Sequence, residues 1–554
     1  IDVADVGYNL LNFATFPDMN RTWEISTLLA NVLGHLFYKL PYGNTMLGMN
    51  IYCTLLLSFF CMICYHFLKR YYNRIAVFPG LLLAEGFCWC PRVILYHYLT
   101  YYIFCIGAML LLYAIRENKK GMYCLAGAVL ALNVFVRFPN IVECLLIIVL
   151  IGYGIFGKKN VGKEILLSIA GYLGVLILGI VIISCIYGKT AFLEMISSLF
   201  GMTKEATSYT PRSMLVTMFG DYIRYLPYLM PFLGIAMLGS LFFVIFRQKI
   251  VRGLTSLLML LLFLCTLAVE LRKFGAFSLD YGDYRSVFMW GTFLLLIAML
   301  LVLNILFSKH TDIHRKLLGL AVLAIVLITP IGSNNGLYTA FNNLFLVAPF
   351  VFGEIMDVLM VFHRKKKEEI KAGNIVKAVS GSVALAIGLI TLIQGVLFQT
   401  DFVFHDLPFW KGDFKMVDDN QRLYGMKKDP CRADSLAGLQ TYLENELPDK
   451  KTAICYDNIP GIYYYCGLDC ALSHSWAGLD SFPAEELKED LWRISGAGEL
   501  PIFIYDASTG DLLTDEIKED PIKKRLFADF LIENDYRETY RNDQFVLCLP
   551  LNGL

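Results

Sequence analysis

The feature that most limits what this chain can fold into is a series of about twelve apolar runs between Thr45 and Phe398, most of them roughly 17–25 residues long and each ended by polar residues. A run of that length carries a helix across a hydrocarbon core. Inside lipid every backbone N–H and C=O must be satisfied within the segment, so continuous apolar runs of this kind are read as helices. The runs are Thr45–Leu68, Ile75–Cys90, Leu99–Ile115, Met122–Val136, Ile141–Phe156, Ile165–Ile186, Tyr225–Phe246, Leu254–Glu270, Val287–Phe307, Leu317–Ile331, Asn342–Phe362 and Ile375–Phe398. Composition agrees: 57% of residues are hydrophobic, 17% are charged, and mean hydropathy is +0.56. A water-soluble fold has nowhere to hide that much apolar surface. The chain therefore reads as mainly α, a polytopic transmembrane helical bundle. Its formal net charge of zero implies no polyanionic partner and no nucleic acid.

Direction follows from the loops. Lys69-Arg70 with Arg74, Arg116 with Lys119-Lys120, Lys158-Lys159 with Lys163, Arg247 to Arg252, Lys309 to Lys316, and Arg364 to Lys367 make every second loop short and basic. By the positive-inside rule these face the cytoplasm. The other loops, Ile1–Asn44, Pro91–Tyr98, Tyr187–Arg224, Leu271–Ser286 and Gly332–Phe341, are more aromatic, less basic and face outward. An even number of spans places both ends outside. The polar and aromatic opening from Ile1 is no signal peptide, and a further span ahead of it is expected, which restores a cytoplasmic start.

After Phe398 the apolar runs shorten and charges gather. Asp434–Leu447, with Asp434 as N-cap, and Pro521–Asn534 read as helices; Lys451–Tyr456, Pro501–Tyr505 and Gln544–Leu549 read as strands. The chain divides into a membrane part, 1–398, whose residues 1–44 form the first outward loop, and an extracytoplasmic α/β domain, 399–554. That domain has no GxGxxG and no phosphate loop, so it is not read as nucleotide-binding. Most of the 15 cysteines lie in apolar runs as small hydrophobes. Those of the tail (Cys431, Cys455, Cys466, Cys470, Cys548) are odd in number and lack zinc spacing, so neither a disulfide nor a metal is assigned.

Polar residues concentrate in the outward loops. Asp2-Val3-Ala4-Asp5-Val6-Gly7-Tyr8 sets a carboxylate at the membrane–water boundary, where it is either a base for an acceptor nucleophile or a solvated loop acid. Arg21–Leu40 has apolar residues at helical spacing and is either an interfacial amphipathic helix or a core helix. Glu85 and Glu143 lie within spans, where acids are costly; each carries function or pairs with a nearby arginine. Glu354 and Asp357 share a helix face on the basic side.

An early Asp-x-Gly-Tyr loop, an interfacial helix, and a Leu-Pro-Tyr-Gly-Asn-Thr-Met-Leu-Gly-Met-Asn stretch (Leu40–Asn50) leading into a span follow one another here. This order, closed by a C-terminal extracytoplasmic domain, resembles the GT-C superfamily of membrane glycosyltransferases, among them protein O-mannosyltransferases and lipid A aminoarabinose transferases. The resemblance implies a glycosyltransferase that moves a sugar from a polyprenyl-phosphate donor to an acceptor glycan, protein or glycolipid at the outer face of a bacterial plasma membrane. Members commonly show Asp-Glu in the first loop; here Val6 follows Asp5, and Asp2 or Glu24 is the substitute for a second acid. Such chemistry asks for a base and for a cation on the departing phosphate. Asp5, with Asp2 and His97, are the catalytic candidates. Arg92, Arg137 and Arg285 are the candidate phosphate grips, each alternatively a snorkelling residue or a local ion pair, with Asp280, Tyr281 and Asp283 beside Arg285. Asn334 and Asn335, in a Gly332–Gly336 turn, offer amides to sugar hydroxyls or phosphate. Some members use a divalent ion; no metal cluster stands out, and no cofactor is assigned beyond the lipid-linked donor. A transporter or flippase of lipid-linked glycans, a glycan polymerase or ligase, and an inactive scaffold are the competing readings; no internal repeat of the transporter kind is visible.

Overall fold

The structure is a computed structural model that describes residues 2–205, 210–246, 248–274, 281, 284–333, 335–364, 372–403, 409–410, 412–417, 419–479, 482–513 and 521–551. Three short helices come first: α1 (Asp5–Thr15), α2 (Arg21–Ser26) and α3 (Leu28–Tyr38). Then follow α4 (Met46–Leu68), α5 (Arg74–Gly86), α6 (Tyr96–Glu117), α7 (Lys120–Val136), a 3₁₀ segment Phe138–Ile147 leading into α8 (Ile148–Gly157), and α9 (Gly162–Tyr187). The bundle continues with α10 (Ala191–Glu205), α11 (Pro211–Ile245), α12 (Lys249–Val269), α13 (Arg285–Phe307), α14 (Ile313–Ile328), α15 (Tyr338–Phe341), α16 (Val347–Arg364) and α17 (Ala372–Asp401).

Each apolar run read from the sequence contains a helix. Among the described residues eight helices are long and apolar enough to cross a membrane: Met46–Leu68, Tyr96–Glu117, Phe138–Gly157, Gly162–Tyr187, Arg212–Ile245, Lys249–Arg272, Val287–Phe307 and Ala372–Asp401. The chain is a multi-pass membrane protein. The remaining expected spans fall short for physical reasons. Helix α5 has 13 residues, about 20 Å of rise. Helices α7 and α14 have 17 and 16 residues, and α16 carries Glu354, Asp357 and Arg364 within its 18. Helix α14 is buried along nearly its whole length, so protein surrounds it and its length need not match a bilayer. Helix α9 is the opposite case, with only Gly171 and Ile183 buried.

The basic loops gather at one end. Arg116 lies over Tyr71 at 5.4 Å and Arg70 over Tyr113 at 5.8 Å, while Lys316 lies over Phe156 at 5.0 Å. Here Arg315 holds Glu354 at 2.6 Å and Asp357 at 2.9 Å, and Tyr72 Oη donates to Glu354 at 2.7 Å. The two acids expected on one helix face are thus partners of one guanidinium.

The other end carries α1–α3 and the sheet. An antiparallel ribbon, β1 (Lys415–Val417) and β2 (Met426–Lys428), precedes α18 (Pro430–Glu446), β3 (Thr452–Tyr456), α19 (Gly461–Cys466), β4 (Asp469–Cys470), α20 (Ala484–Ser495), β5 (Ile502–Asp506), α21 (Ile522–Glu533), β6 (Tyr536–Arg541) and β7 (Phe545–Pro550). The main sheet has order β4-β3-β5-β7-β6, parallel from β4 through β5 and antiparallel at β7 and β6. The apolar run of β3, Ala453 to Tyr456, is buried on both faces, as parallel strands require. Helix α18 begins a turn earlier than its apolar spacing implied. Asp429 caps it, accepting from Arg432 N at 3.3 Å with Pro430 at the first helical position. Asp434 instead meets Lys415 at 2.7 Å on the surface.

The sheet is bound closely to α1. Gly461 N donates to Val3 O at 2.7 Å, and Tyr465 Oη donates to Asp2 O at 2.7 Å. Met46 N donates to Arg422 O at 2.9 Å. One continuous apolar core runs from Leu10 and Met49 through to Tyr463 and Ile504.

Candidate functional site

The two acids of the first loop have different surroundings. Asp2 is 3% exposed, and its carboxylate accepts from Ala4 N at 3.0 Å and Val6 N at 2.8 Å. It satisfies N–H groups that the first turn of α1 leaves open. Asp5 lies half-buried on that first turn, where the helix dipole favours a negative charge. Val6 is 2% exposed and packs in the core.

Within electrostatic reach of Asp5 lies Tyr284, part of an aromatic cluster. Trp89 Nε1 donates to Tyr338 O at 3.0 Å and Trp89 N to Asn342 Oδ1 at 2.8 Å. Tyr284 packs on Trp89 at 5.3 Å, Tyr338 at 5.5 Å and Phe402 at 5.0 Å. These rings, with Phe288 and Phe398, close around a gap of about 10 Å³, room for about one water, at the ends of α5, α13 and α17 away from the basic loops. Burial pushes the Tyr284 phenol up, and Cys90, Tyr338, Asp5 and Asp2 push the same way. Burial likewise raises the Cys90 thiol, followed by Cys88, with Arg92 opposing and Cys53 and Asp5 adding. Asp5 and Arg92 therefore act on the same group from the first loop and from the α5–α6 loop.

Arg92 donates Nη2 to Gln399 Oε1 at 2.7 Å, and Gln399 Nε2 donates to Cys88 O at 3.0 Å. Arg92 Nη1 is buried without a hydrogen-bond partner among the described residues. Glu85 is within electrostatic reach of it. Arg137 donates Nη2 to Gly332 O and lies over the Tyr96 ring at 5.6 Å. The Gly332 turn is thus folded onto the turn after α7. Gly332 has φ +90°, and a Cβ there would stand 2.4 Å from Pro139 Cβ, so glycine is required on both counts. Asn335 in that turn is exposed. Tyr8, on α1 with Asp5, is within electrostatic reach of Tyr96.

Tyr281 is 4% exposed, and its Oη donates to Gln394 Oε1 at 2.8 Å. His97 lies tilted at 32° against Tyr96, ring centroids 4.1 Å apart, and its Nδ1 is buried with no hydrogen-bond partner among the described residues. Asp280, Asp283, Asn334 and the Arg285 side chain lie outside the described residues; Arg285 begins α13 beside Tyr284. Glu24 is 2% exposed with Arg21 at 3.6 Å, and burial raises its carboxyl. Glu143 is held inside the bundle: Asn133 Nδ2 donates to its two oxygens at 2.9 and 2.8 Å. Asn140 Nδ2 completes the knot, donating to Thr100 Oγ1 at 2.9 Å.

Residues that the sequence reading passed over include Trp89, Tyr284, Tyr338, Asn342 and Gln399. Asp221 is another: its Oδ2 accepts from Leu337 N at 3.1 Å and closes the turn before α15. The aromatic density of 87–102 and 338–345 was the available signal for the wall; nothing local marks Gln399 or Asp221. Among the described residues no group of three or more His, Cys, Asp or Glu could hold a metal ion.

No family model matches the chain, and no curated protein matches it in sequence. Among solved structures, the chain is similar to ArnT from Cupriavidus metallidurans bound to undecaprenyl phosphate, at 9% identity and TM-score 0.45, over 99% of this chain and 92% of that one. It is similar to the Archaeoglobus fulgidus oligosaccharyltransferase in complex with zinc and sulfate, at 11% identity and TM-score 0.41, over 91% of this chain and 64% of that one. A third similar structure is AglB from Archaeoglobus fulgidus with an inhibitory peptide and a dolichol-phosphate, at 12% identity and TM-score 0.42, over 100% of this chain and 72% of that one. With TM-scores below 0.5, these likenesses assign no activity.

Proposed function

We propose that the chain is a membrane glycosyltransferase that moves a sugar from a polyprenyl-phosphate donor to an acceptor at the outer face of the plasma membrane. In this reading residues 1–398 form the membrane part with the site, residues 399–554 form an outer domain, and the basic loops face the cytoplasm. The observation that carries it is the meeting of α1, the α5–α6 loop and Tyr284 at the non-basic end of the bundle, with Asp5 and Arg92 acting on Cys90 and Asp5 acting on Tyr284.

Asp5, ionised, takes the proton of the acceptor as it attacks the anomeric carbon. Arg92, whose Nη1 has a donor to give, stabilises the negative charge that grows on the departing phosphate. Arg137 and Arg285 are further grips on that phosphate.

The test is transfer of radiolabelled sugar from polyprenyl-phosphate donors in membranes bearing the wild-type chain or Asp5→Asn. Wild-type transfer lost in the variant supports the reading. If the wild-type chain transfers no sugar from any such donor, the reading fails and a carrier of lipid-linked glycans takes its place.

A further inference from the structure

Two residues apart in the loop between β4 and α20 lie two buried donors without a hydrogen-bond partner among the described residues. His474 is 2% exposed and Trp476 is 8% exposed. His474 Nδ1 accepts the Trp476 backbone N–H at 3.0 Å. Burial, reinforced by Lys523, pulls the imidazole pKa down to about 3, against the Trp476 hydrogen bond and Asp490. The ring is therefore neutral, and its hydrogen is on Nε2. Neither His474 Nε2 nor Trp476 Nε1 has a hydrogen-bond partner among the described residues. A buried donor left unmet is costly and rare in a native fold, and one such pair in one loop asks for a ligand.

The surroundings narrow the ligand. The imidazole lies between the rings of Tyr8, at 5.9 Å and 13°, and Phe482, at 5.3 Å and 20°. Trp23 stands edge-on at 6.3 Å, and Trp476 meets Tyr8 at 5.5 Å. Tyr8 belongs to α1, the helix of Asp5. The seam between α1 and the sheet is held unevenly. Near Gly461 it is fixed by short hydrogen bonds to Val3 O and Asp2 O. At the His474 loop it is held by ring contacts and by Asn20 Nδ2 donating to Ser473 O at 3.4 Å. Ligand sites favour such junctions.

We propose that this seam is the acceptor subsite of the transfer reaction and that it takes a neutral saccharide. Sugar hydroxyls accept from His474 Nε2–H and Trp476 Nε1–H, and the C–H face of the ring lies on the aromatic walls. Lys523, the cation that acts on His474, is engaged with Ala477 O at 3.1 Å and with Leu479 O, and Asp490 opposes an anion; an apolar ligand would leave both donors unmet. The assignment of the ligand as acceptor rests on the transferase reading; binding itself is measured without it.

The test is saturation-transfer NMR on the purified full chain in lipid nanodiscs. The probes are neutral methyl glycosides of glucose, galactose, mannose and arabinose, with acetate and inorganic phosphate as the anionic arm. At least one glycoside is expected to bind saturably. Trp476→Phe keeps the ring and removes the N–H; His474→Asn keeps an acceptor for Trp476 N and removes the Nε2–H. Each should weaken binding about tenfold, the size of one lost hydrogen bond, with the Trp476→Phe thermal midpoint unchanged. Binding should persist in Asp5→Asn, so a failed transfer assay and a failed subsite are told apart. No glycoside binding, equal binding by both variants, or binding of acetate or phosphate alone overturns the proposal.

Discussion

A single methyl group at Gly7 tests whether the sheet sets the position of α1. A Cβ built on Gly7 stands 2.3 Å from Gly461 Cα, 3.2 Å from Gly461 N and 3.4 Å from Tyr465 Cε2. Carbon atoms rest about 3.5–4.0 Å apart, so something must move by about 1 Å or more. The obstacle is backbone, not the end of a flexible side chain. Gly461 is itself tied, through its N–H to Val3 O at 2.7 Å. Helix α1 is therefore the part that yields, and it carries Asp5. Overpacking of this kind costs about 1–3 kcal/mol, and a displacement of about 1 Å in a catalytic group lowers rate by up to about 10²-fold. Gly7→Ala should therefore reduce sugar transfer by about 10–100-fold while the chain remains folded. Gly174→Ala on α9, where nothing lies within 4 Å of the new Cβ, is the control for the same chemical change. The assay is initial transfer rate with saturating lipid-linked donor, alongside the thermal midpoint of the purified protein. Wild-type rate and midpoint in Gly7→Ala would refute the reasoning, because the contact would then be neither tight nor responsible for placing Asp5.

Asp5→Asn keeps shape but removes the base, and turnover should fall by about 10²–10⁴-fold with donor affinity largely kept, read from kcat and KM separately. Arg137→Lys keeps charge but loses the planar fork shared between Gly332 O and the Tyr96 face, so donor KM should rise as well as kcat fall. Cys431 is exposed on the sheet-bearing part; a membrane-impermeant maleimide on intact cells should label it, with the signal lost in Cys431→Ser, and a protected Cys431 would reverse the orientation. The folded-state pKa of His474, about 3, lies below its ordinary 6.5. Its neutral form therefore supports the fold fully above about pH 6.5, and stability falls with pH below that by about 1.4 kcal/mol per unit, about 2 kcal/mol at pH 5. Thermal midpoints at pH 7.5 and 5.0 should separate less in His474→Asn than in the wild-type chain.

Membrane helices were legible because their physics is local. A run such as Thr45–Leu68 must become a helix wherever it meets lipid, and it does so as Met46–Leu68. Length was less legible: whether a run faces lipid or protein, as α9 and α14 differ, depends on neighbours remote in sequence. The sheet elements at 452–456 and 545–550 followed from short apolar runs. The cap of α18 was displaced because Asp429 and Asp434 are equally good cap residues by type; Pro430, pre-set for the first helical position, decides between them.

The site was less legible because its parts meet only through tertiary contact. Arg92 answers to Gln399, Arg137 to Gly332 and Tyr281 to Gln394, and no spacing rule links such positions. The first loop makes the point most sharply. Asp2 and Asp5 are the same residue type three positions apart, yet one holds the N–H groups of Ala4 and Val6 and is buried, while the other is half-buried on the first turn. Position 6, where the resembling family commonly has a second acid, holds Val6 at 2% exposure among core residues. A carboxylate there would enter an apolar core without a partner and would cost several kcal/mol or hold a proton. Helix α1 thus turns one acid into its own cap and admits no acid at position 6. On the transferase reading Asp5 is the first-loop carboxylate that takes the acceptor proton, and one base suffices for a reaction in which a single proton must leave the acceptor.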